Sequence, residues 1–408
     1  MKQIVIVGTG VSGLVAAINC EQAGFSTILI DADKAIGGRT QSLEYENFIL
    51  DKGFQVLLTE YTSVKKYLDL KALNLKFFDP GAFVFSADKD YELSDPLRQW
   101  WKVPEMIFSG IGNLRDKWLV FKLSQYLKNK KEESIFDGST ETTLEFLKAY
   151  GFSNRIINLF FKPFFSGIFL EDNLETAATM FKFVFGKFSR GLAAIPVNGI
   201  QEIPDQLFKK LKNSTLLLNK RVEKVENNTL TFENGETLSF DKLILATDYH
   251  FIFNKDLSEV KYNHHIQYYF KTDRPLLGKK IGLIADPTAG MLTIAAISEL
   301  KGGKNPAEGY LLSVTLKSET INDQVAAYKL IDDIRKYFKI PELPLTYLGL
   351  NFIRRALPVC QNLYFNRPLS DFIYEKNIFL AGDYLLNPSL DAAMRSGEMA
   401  VKALLSQE

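Results

Sequence analysis

The chain has 408 residues, 46% of them hydrophobic and 24% charged, with a formal net charge of +1. This composition is typical of a globular protein of about two or three domains. The near-zero charge gives no electrostatic basis for nucleic-acid binding. Two cysteines without a CxxC pair and three histidines argue against a disulfide scaffold and a histidine-rich metal site. We therefore predict no metal and no nucleic-acid partner.

At the N-terminus, Met1 and Lys2 lead into the apolar run IVIVG, which is too short for the core of a signal peptide. No segment of the sequence approaches the ~20 uninterrupted apolar residues of a membrane span. A cytoplasmic location is the expectation, with peripheral membrane association left open.

The N-terminal segment predicts a strand, a glycine-rich turn, a helix and a second strand. The apolar run Ile4–Val7 leads into a GxGxxG motif of Gly8, Gly10 and Gly13, and Asp31 follows the second apolar run. The first glycine permits a tight turn, the second lets the backbone approach a pyrophosphate, and the third lets helix and strand pack closely. The helix N-terminus offers unpaired N–H groups to phosphates, and the acid accepts hydrogen bonds from an unphosphorylated ribose. The segment therefore predicts a dinucleotide site, with its helix over 15–23.

A second glycine motif narrows the dinucleotide to FAD. Gly37, Gly38 and Arg39 lie in the stretch GGRTQS, and DKGFQ follows at 51–55. With the first motif, these stretches resemble the superfamily of flavin-containing amine oxidases and phytoene desaturases, closer to its desaturase and protoporphyrinogen oxidase branch. The resemblance implies non-covalently bound FAD, with Arg39 and the two glycines along its pyrophosphate and ribityl chain. The family more often has glutamate where this chain has Asp31, which keeps the carboxylate.

The middle of the chain alternates between helical and strand patterns. Two stretches, 96–133 and 142–188, have helical periodicity, and Pro163 and Gly167 interrupt the second. Short strands follow. This order is similar to the superfamily's interrupted layout and predicts an α/β fold: a Rossmann-like FAD-binding domain, discontinuous in sequence, with an inserted α+β substrate domain. The predicted ranges are 1–70, 191–249 and 351–408 for the FAD-binding domain, and 71–190 and 250–350 for the substrate domain.

The closing stretch, 378–397, predicts a last sheet strand and then a helix that begins at Ser389. Gly382 lets the backbone pass close to the cofactor, and Asp383 is placed to accept a hydrogen bond from a ribityl hydroxyl. Small residues such as Ala392 let the helix approach the flavin, where its N-terminus stabilises developing negative charge. With the family's motif positions, the predicted cofactor-binding residues are Gly8, Gly10, Val11, Ser12, Gly13, Asp31, Ala32, Gly38, Arg39, Thr40, Val222, Ala246, Gly382, Asp383, Ser389 and Ala392.

Flavin chemistry needs few protein side chains, because the cofactor carries the reaction and the protein orients the substrate. Amine oxidases of the superfamily add a lysine near the flavin and an aromatic pair around the amine. Aligning the strand IQYY with theirs puts His264 at the lysine position, and the closing helix puts Ser389 at one aromatic position. His264 is therefore a candidate catalytic residue. His264 and His265 are both candidates to face the substrate, but neighbours on a strand alternate faces, so one of the two is expected to be exposed.

These departures favour hydride transfer to flavin N5 from a hydrophobic small-molecule substrate, such as an isoprenoid, a carotenoid precursor or a porphyrinogen-like ring. The alternatives are a flavin amine oxidase and a non-enzymatic flavin- or lipid-binding protein. The electron acceptor stays open between oxygen, a quinone and a second protein.

Each of three further features of the sequence has two interpretations. The phenylalanine-rich stretch 158–170 either lines an apolar cavity or packs helices together. The stretch 98–108, with Trp100 and Trp101, either lies on a membrane surface or packs on its own domain. Cys360 is either a buried apolar residue or a covalent link to flavin.

Overall fold

The computed structural model describes residues 3–94, 110–136, 138–249, 252–253, 260–302, 309–316 and 324–407. The tryptophan-containing stretch 98–108 lies outside these residues. Within them, two large sheets carry the fold, and three smaller sheets join the segments between them.

The first large sheet has six strands, and five of them run parallel to one another. Its apolar runs are continuous because helices cover both faces of a parallel sheet. Gly397 of the closing helix lies so close to the first helix that a Cβ there would be 2.2 Å from the Ser12 carbonyl oxygen. In spatial order the strands are Ser214–Leu217, Ser26–Ile30, Gln3–Val7, Lys242–Leu245, Ile378–Leu380 and Ile373–Glu375.

The second large sheet has seven strands and is antiparallel except for one parallel pair. One face buries an apolar cluster against the helix Gln324–Phe338. Side chains alternate between the faces of a strand, so the residues between these apolar positions point the other way. In spatial order the strands are Leu345–Pro358, Tyr262–Thr272, Tyr310–Leu316, Met291–Ala296, Ile281–Ile284, Gly81–Phe85 and Tyr91–Ser94.

The smaller sheets and the helices connect these two layers. The strand groups are Ser42–Tyr45 with Phe48–Asp51, then Leu57–Leu58 with Ala193–Pro196 and Leu75–Phe77, then Val222–Glu226 with Thr229–Phe232 and Thr237–Ser239. The α-helices are Val11–Gln22, Thr62–Tyr67, Leu114–Asn129, Thr143–Tyr150, Asn154–Ile156, Lys162–Phe169, Ala178–Arg190, Glu202–Phe208, Ile297–Lys301, Gln324–Phe338 and Leu390–Leu405. Short 3₁₀ turns span Glu132–Ile135, Leu369–Phe372 and Asp383–Leu385.

The phenylalanine-rich helix differs from its prediction at both breaker residues. Pro163 does not end the helix. A π-helical turn at Ile157–Phe161 comes immediately before the helix Lys162–Phe169, and this turn accommodates the missing N–H of the proline. Gly167 stays inside the helix, and a Cβ at this position would be 3.0 Å from Thr293 Cγ2 in the seven-stranded sheet. The glycine thus lets the helix lie close to the sheet rather than breaking it.

The α/β class predicted from the sequence is confirmed. The first helix starts at Val11, four residues before its prediction, because it continues directly from the glycine turn. The insert expected to be helical over 71–190 begins with strands, and Gly81–Phe85 joins the seven-stranded sheet. The strand Leu345–Pro358 crosses the predicted boundary at 350. The domain boundaries themselves stay a prediction. Among the described residues, no helix is both long and apolar enough to cross a membrane.

Candidate functional site

A single cavity of about 1700 Å³ extends from the glycine turn after the first strand to the phenylalanine-rich helices. It is larger than the roughly 300–1,000 Å³ of an ordinary small-molecule pocket, which leaves room for an elongated dinucleotide and a second ligand. The predicted cofactor residues on its wall are Gly8, Gly10, Val11, Ser12, Asp31, Ala32, Gly38, Arg39, Thr40, Val222, Ala246, Gly382, Asp383 and Ser389. Gly13 and Ala392 are buried behind that wall.

The glycine turn is built for a close backbone approach. Gly8 has a φ of +103°, and a Cβ there would be 2.5 Å from the Ala246 carbonyl oxygen. A Cβ on Gly13 would be 1.9 Å from the Gly8 carbonyl oxygen, so Gly13 serves the packing of helix on strand. Only glycine fits either position without moving the backbone.

The N-terminus of the first helix points its free donors at this end of the cavity. No side chain in the described part of the chain caps Gly10, and the first turn carries no acidic residue. The first intrahelical bond comes from the Leu14 N–H to the Gly10 oxygen, so the preceding N–H groups have no partner inside the helix. Val11 and Ser12 of this turn line the cavity. These donors and the positive dipole end fit the pyrophosphate of FAD.

Asp31 is held at the cavity edge by hydrogen bonds from Thr9 and Asp33. Its Oδ2 accepts hydrogen bonds from the Thr9 N–H at 2.7 Å and the Thr9 hydroxyl at 2.5 Å, and its Oδ1 accepts one from the Asp33 N–H at 2.9 Å. A carboxylate has about four acceptor positions, so capacity for a ribose hydroxyl remains. Thr9 was not predicted as a partner of Asp31, although its position between the first two glycines of the motif places it beside the end of the second strand.

An ion pair joins the two ends of the chain across the cavity wall. Arg39 Nη2 lies 2.7 Å from Asp383 Oδ1, and Arg39 Nη1 donates to the Ala356 carbonyl at 2.9 Å. The Gln55 side chain donates to the Arg39 carbonyl at 2.6 Å. Three predicted motifs therefore meet at one point. The sequence anticipated neither this pair nor Gln55, and the hydrogen bond from Asp383 to a ribityl hydroxyl stays a prediction.

Ser389 begins the closing helix, as predicted. Its hydroxyl accepts a hydrogen bond from the Ala392 N–H at 3.1 Å and donates to Asn387 Oδ1 at 2.7 Å. The capping bond occupies the backbone N–H of Ala392, and Ala392 itself is fully buried and does not line the cavity. Leu390 and Ala393 of the first turns line the cavity beside Ser389.

The structure brings His265 rather than His264 to the cavity. His265 is on the wall, buried, with its Nε2 2.8 Å from Gln267 Oε1. Burial lowers the pKa of His265 to about 4, so the ring is neutral at neutral pH. His264 does not line the cavity, and its ring lies edge-on to Phe352 with centroids 5.7 Å apart. Strand alternation puts neighbours on opposite faces, but the sequence did not show which face was the inner one.

The phenylalanine-rich stretch both lines the cavity and packs the helices. Phe160 and Phe164, one turn apart, are on the wall with ring centroids 5.7 Å apart, and Phe188 packs on Phe164 at 5.2 Å. Phe161 and Phe165 are fully buried in the core. The two interpretations therefore hold for different faces of one helix. The result is an aromatic half of the cavity, opposite its glycine-turn end.

Cys360 does not line the cavity. Burial raises the pKa of its thiol to about 12, so the sulfur is protonated at neutral pH and is a poor nucleophile. These features favour the buried apolar interpretation and non-covalent FAD. Among the described residues, no cluster of three or more His, Cys, Asp or Glu side chains is arranged to hold a metal ion.

The family model for flavin containing amine oxidoreductases matches residues 11–405. Protoporphyrinogen oxidase 2 of Arabidopsis thaliana is 26% identical over 174 residues, which cover 42% of this chain and 33% of that protein. The 4,4'-diaponeurosporene oxygenase of Staphylococcus haemolyticus is 33% identical over 96 residues, which cover 20% of this chain and 19% of that protein. The matched stretches thus span a third or less of these relatives. The crystal structure of an oxidoreductase from Methanosarcina mazei aligns over 98% of this chain and 100% of that chain, with a TM-score of 0.75 at 14% identity.

Proposed function

We propose that this chain, which belongs to the flavin containing amine oxidoreductase family and is an FAD-dependent oxidoreductase, oxidises a hydrophobic small molecule. An isoprenoid, a carotenoid precursor or a porphyrinogen-like ring is the expected class. The observation that carries the proposal is the continuous cavity, in which the cofactor end opens into the aromatic half around Phe160, Phe164 and Phe188.

The chain's own residues would bind the cofactor and exclude water. FAD supplies two-electron oxidation when it is bound, by accepting a hydride at N5. The N-terminus of the first helix would hold the pyrophosphate, Asp31 the adenosine ribose, and the Arg39–Asp383 pair the chain between pyrophosphate and flavin. The phenylalanines would then bury an apolar substrate, which is favourable by about 25 cal/mol for each Å² removed from water.

Two features disfavour a cationic amine as substrate. Asp248 and Asp383 line the cavity, but their carboxylates are ion-paired with Arg355 at 2.5 Å and Arg39 at 2.7 Å. Ser389, at a position where amine oxidases have an aromatic residue, uses its hydroxyl to cap a helix. An ammonium group is stabilised by aromatic faces or by free carboxylates. The two paired carboxylates and Ser389 offer neither, whereas the aromatic faces around Phe160, Phe164 and Phe188 lie in the apolar half of the cavity. Two of the similar proteins are named for a porphyrinogen and for diaponeurosporene, and a third is an L-amino-acid oxidase. The proposal therefore rests on the residues of the cavity and not on these names.

Peripheral membrane contact and a cytoplasmic location remain part of the proposal. Four large side chains on the helix Leu114–Asn129 are about half exposed or more: Leu114 at 67%, Trp118 at 57%, Tyr126 at 54% and Phe121 at 48%. Trp118 and Phe121 also line the cavity. An apolar surface at the cavity mouth would suit delivery of a substrate of low solubility.

Anaerobic flavin bleaching tests the proposed substrate class. Purified holoprotein would be mixed in turn with isoprenoids, carotenoid precursors, porphyrinogens and amines while the flavin absorbance is followed. We expect bleaching by a member of the apolar classes and none by amines. Bleaching by amines alone would overturn the proposal. Reoxidation of the bleached protein by oxygen or by a quinone then identifies the electron acceptor, and reoxidation by neither points to a second protein.

A further inference from the structure

The inner face of the seven-stranded sheet carries a buried polar group inside the cavity. On the strand Tyr262–Thr272, alternate residues such as Ile266 and Tyr268 pack against the helix Gln324–Phe338. His265 and Gln267 point to the opposite face, and His265 lines the cavity. Both side chains are buried, with His265 6% exposed and Gln267 0% exposed.

Hydrogen bonds from neighbouring strands hold the Gln267 amide with its oxygen towards His265. The Gln267 Nε2 donates to the Ser313 hydroxyl at 2.8 Å, and its Oε1 accepts from the Thr315 hydroxyl at 2.9 Å. The same Oε1 lies 2.8 Å from His265 Nε2. Because an amide oxygen only accepts hydrogen bonds, His265 Nε2 carries the proton and is the donor.

The network leaves one ring nitrogen for a ligand. With the proton on Nε2, the other nitrogen of a neutral imidazole is an acceptor. No donor among the described residues reaches His265 Nδ1. Since burial lowers the pKa of His265 to about 4, the ring keeps this neutral form at neutral pH. Among the described residues, His265 Nδ1 is not one of the buried polar atoms that lack a hydrogen-bond partner, so it is accessible from the cavity that His265 lines. The cavity wall therefore presents an acceptor of a single hydrogen bond.

The position of His265 links the cofactor end of the cavity to the substrate end. Gly53, with a φ of +87°, lies so close that a Cβ there would be 3.1 Å from His265 Cδ2. Two residues later, the Gln55 side chain donates a hydrogen bond to the backbone carbonyl of Arg39. On the same sheet face, Thr293 contacts the position of Gly167 in the phenylalanine-rich helix. His265 thus lies between the Arg39 region and the aromatic half.

We propose that His265 is the specificity-determining polar anchor of the substrate cavity, where Nδ1 accepts a hydrogen bond from a hydroxyl or a neutral N–H of an otherwise hydrophobic substrate. This rests on the proposed function and deepens it, because it adds one donor group to the apolar substrate class. A carboxylate has no proton to offer and would oppose the Nδ1 lone pair. A pure hydrocarbon would leave the acceptor unpaired, which is unfavourable in a buried site.

The test measures ligand affinity rather than turnover. Holoprotein would be titrated with two matched pairs of probes: geranylgeraniol with its methyl ether, and an alkyl-substituted pyrrole with its N-methyl derivative. The perturbation of the flavin absorbance reports binding. We expect the donor-bearing member of at least one pair to bind roughly 3- to 10-fold more tightly, as for one net hydrogen bond. The pair that shows the preference distinguishes a hydroxyl from an N–H donor.

Two variants and a control assign the preference to His265. His265→Phe removes the acceptor and should abolish the affinity ratio, whereas His265→Asn keeps an oxygen near the Nδ1 position and should retain part of it. His264→Phe, outside the cavity, should leave the ratio unchanged. Because the chain has three histidines, ¹⁵N NMR of the ring nitrogens reads the tautomer in the intact wild-type protein. The Nδ1 signal should respond to the alcohol and not to its ether.

The possible results separate this inference from the proposed function. If every probe binds the wild type but neither pair shows a preference, the anchor is wrong while an apolar substrate still stands. A preference that persists in His265→Phe also overturns the anchor. If no apolar probe binds the holoprotein at all, the proposed function fails and the anchor fails with it.

Discussion

The ion pair between Arg39 and Asp383 gives the sharpest prediction for stability. The substitution Asp383→Asn keeps the shape of the side chain and its bond from the Tyr384 N–H, but it removes the charge. Losing one partner of a fully buried pair costs about 3–5 kcal/mol, whereas an exposed pair is worth about 0–1 kcal/mol. The Asp383 side chain is 5% exposed and the Arg39 side chain 39%, so water screens one partner. We therefore expect a loss of roughly 2 kcal/mol in the free energy of unfolding, between these limits.

Urea unfolding in excess FAD, followed by circular dichroism, measures this loss. Asp90→Asn is the matched control, because Asp90 pairs with Lys339 at 2.5 Å on the surface, with the two side chains 34% and 73% exposed. The control should change the free energy of unfolding by no more than about 0.5 kcal/mol. We also expect Asp383→Asn to retain less FAD than the control after gel filtration. An unfolding midpoint of Asp383→Asn equal to that of the wild type would refute the view that this pair joins the chain ends.

Three further variants test local features of the fold. Ser389→Ala removes the cap of the closing helix and should lower the free energy of unfolding by about 1 kcal/mol in urea titrations; no change would mean that the cap is replaceable. Gly397→Ala places a Cβ 2.2 Å from the Ser12 oxygen, so thermal unfolding should show a loss of about 1–3 kcal/mol, and an unchanged Tm would refute the close helix contact. The pKa of about 4 for His265 lies below the unfolded value of about 6.5. The unfolded chain therefore binds more protons between these values, and stability should fall by up to about 3 kcal/mol as the pH drops from 6.5 to 4. His265→Asn should lack this component, and an identical pH dependence would contradict it.

The sequence predicted best where a local pattern determines the structure. The glycine motif, the strand before it and the helix start at Ser389 all follow from turn, helix-terminus and capping preferences over a few residues. The sequence missed contacts between distant segments. Arg39 and Asp383 are 344 positions apart, and no local pattern pairs them. The strand Gly81–Phe85 joins a sheet in which most of the other strands lie nearly 200 residues or more further along the chain. No local pattern indicates such partners, and its segment was expected to be helical.

The sequence also did not show which face of a strand or helix is turned towards the cavity. A strand pattern shows that His264 and His265 point in opposite directions, but both faces of the seven-stranded sheet are largely buried, so apolarity does not identify the inner one. The phenylalanine-rich helix shows the same limit. Its aromatic residues surround the helix, and only the packed structure separates Phe160 and Phe164 on the cavity wall from Phe161 and Phe165 in the core.

The central claim is that the substrate occupies the aromatic half of the cavity. The most direct test is the affinity of the apolar compound that bleaches the flavin. Its apparent Kd, from the concentration dependence of the anaerobic reduction rate, would be compared between Phe164→Ala and Phe146→Ala. Phe164 lines the cavity, whereas Phe146 packs on Tyr150 and Phe181 outside it. Because Phe164 is partly buried without ligand, we expect about 1 kcal/mol of lost contact, or roughly a fivefold weaker Kd, in Phe164→Ala and a wild-type Kd in Phe146→Ala. Equal Kd values in both variants would show that the substrate does not occupy this half of the cavity.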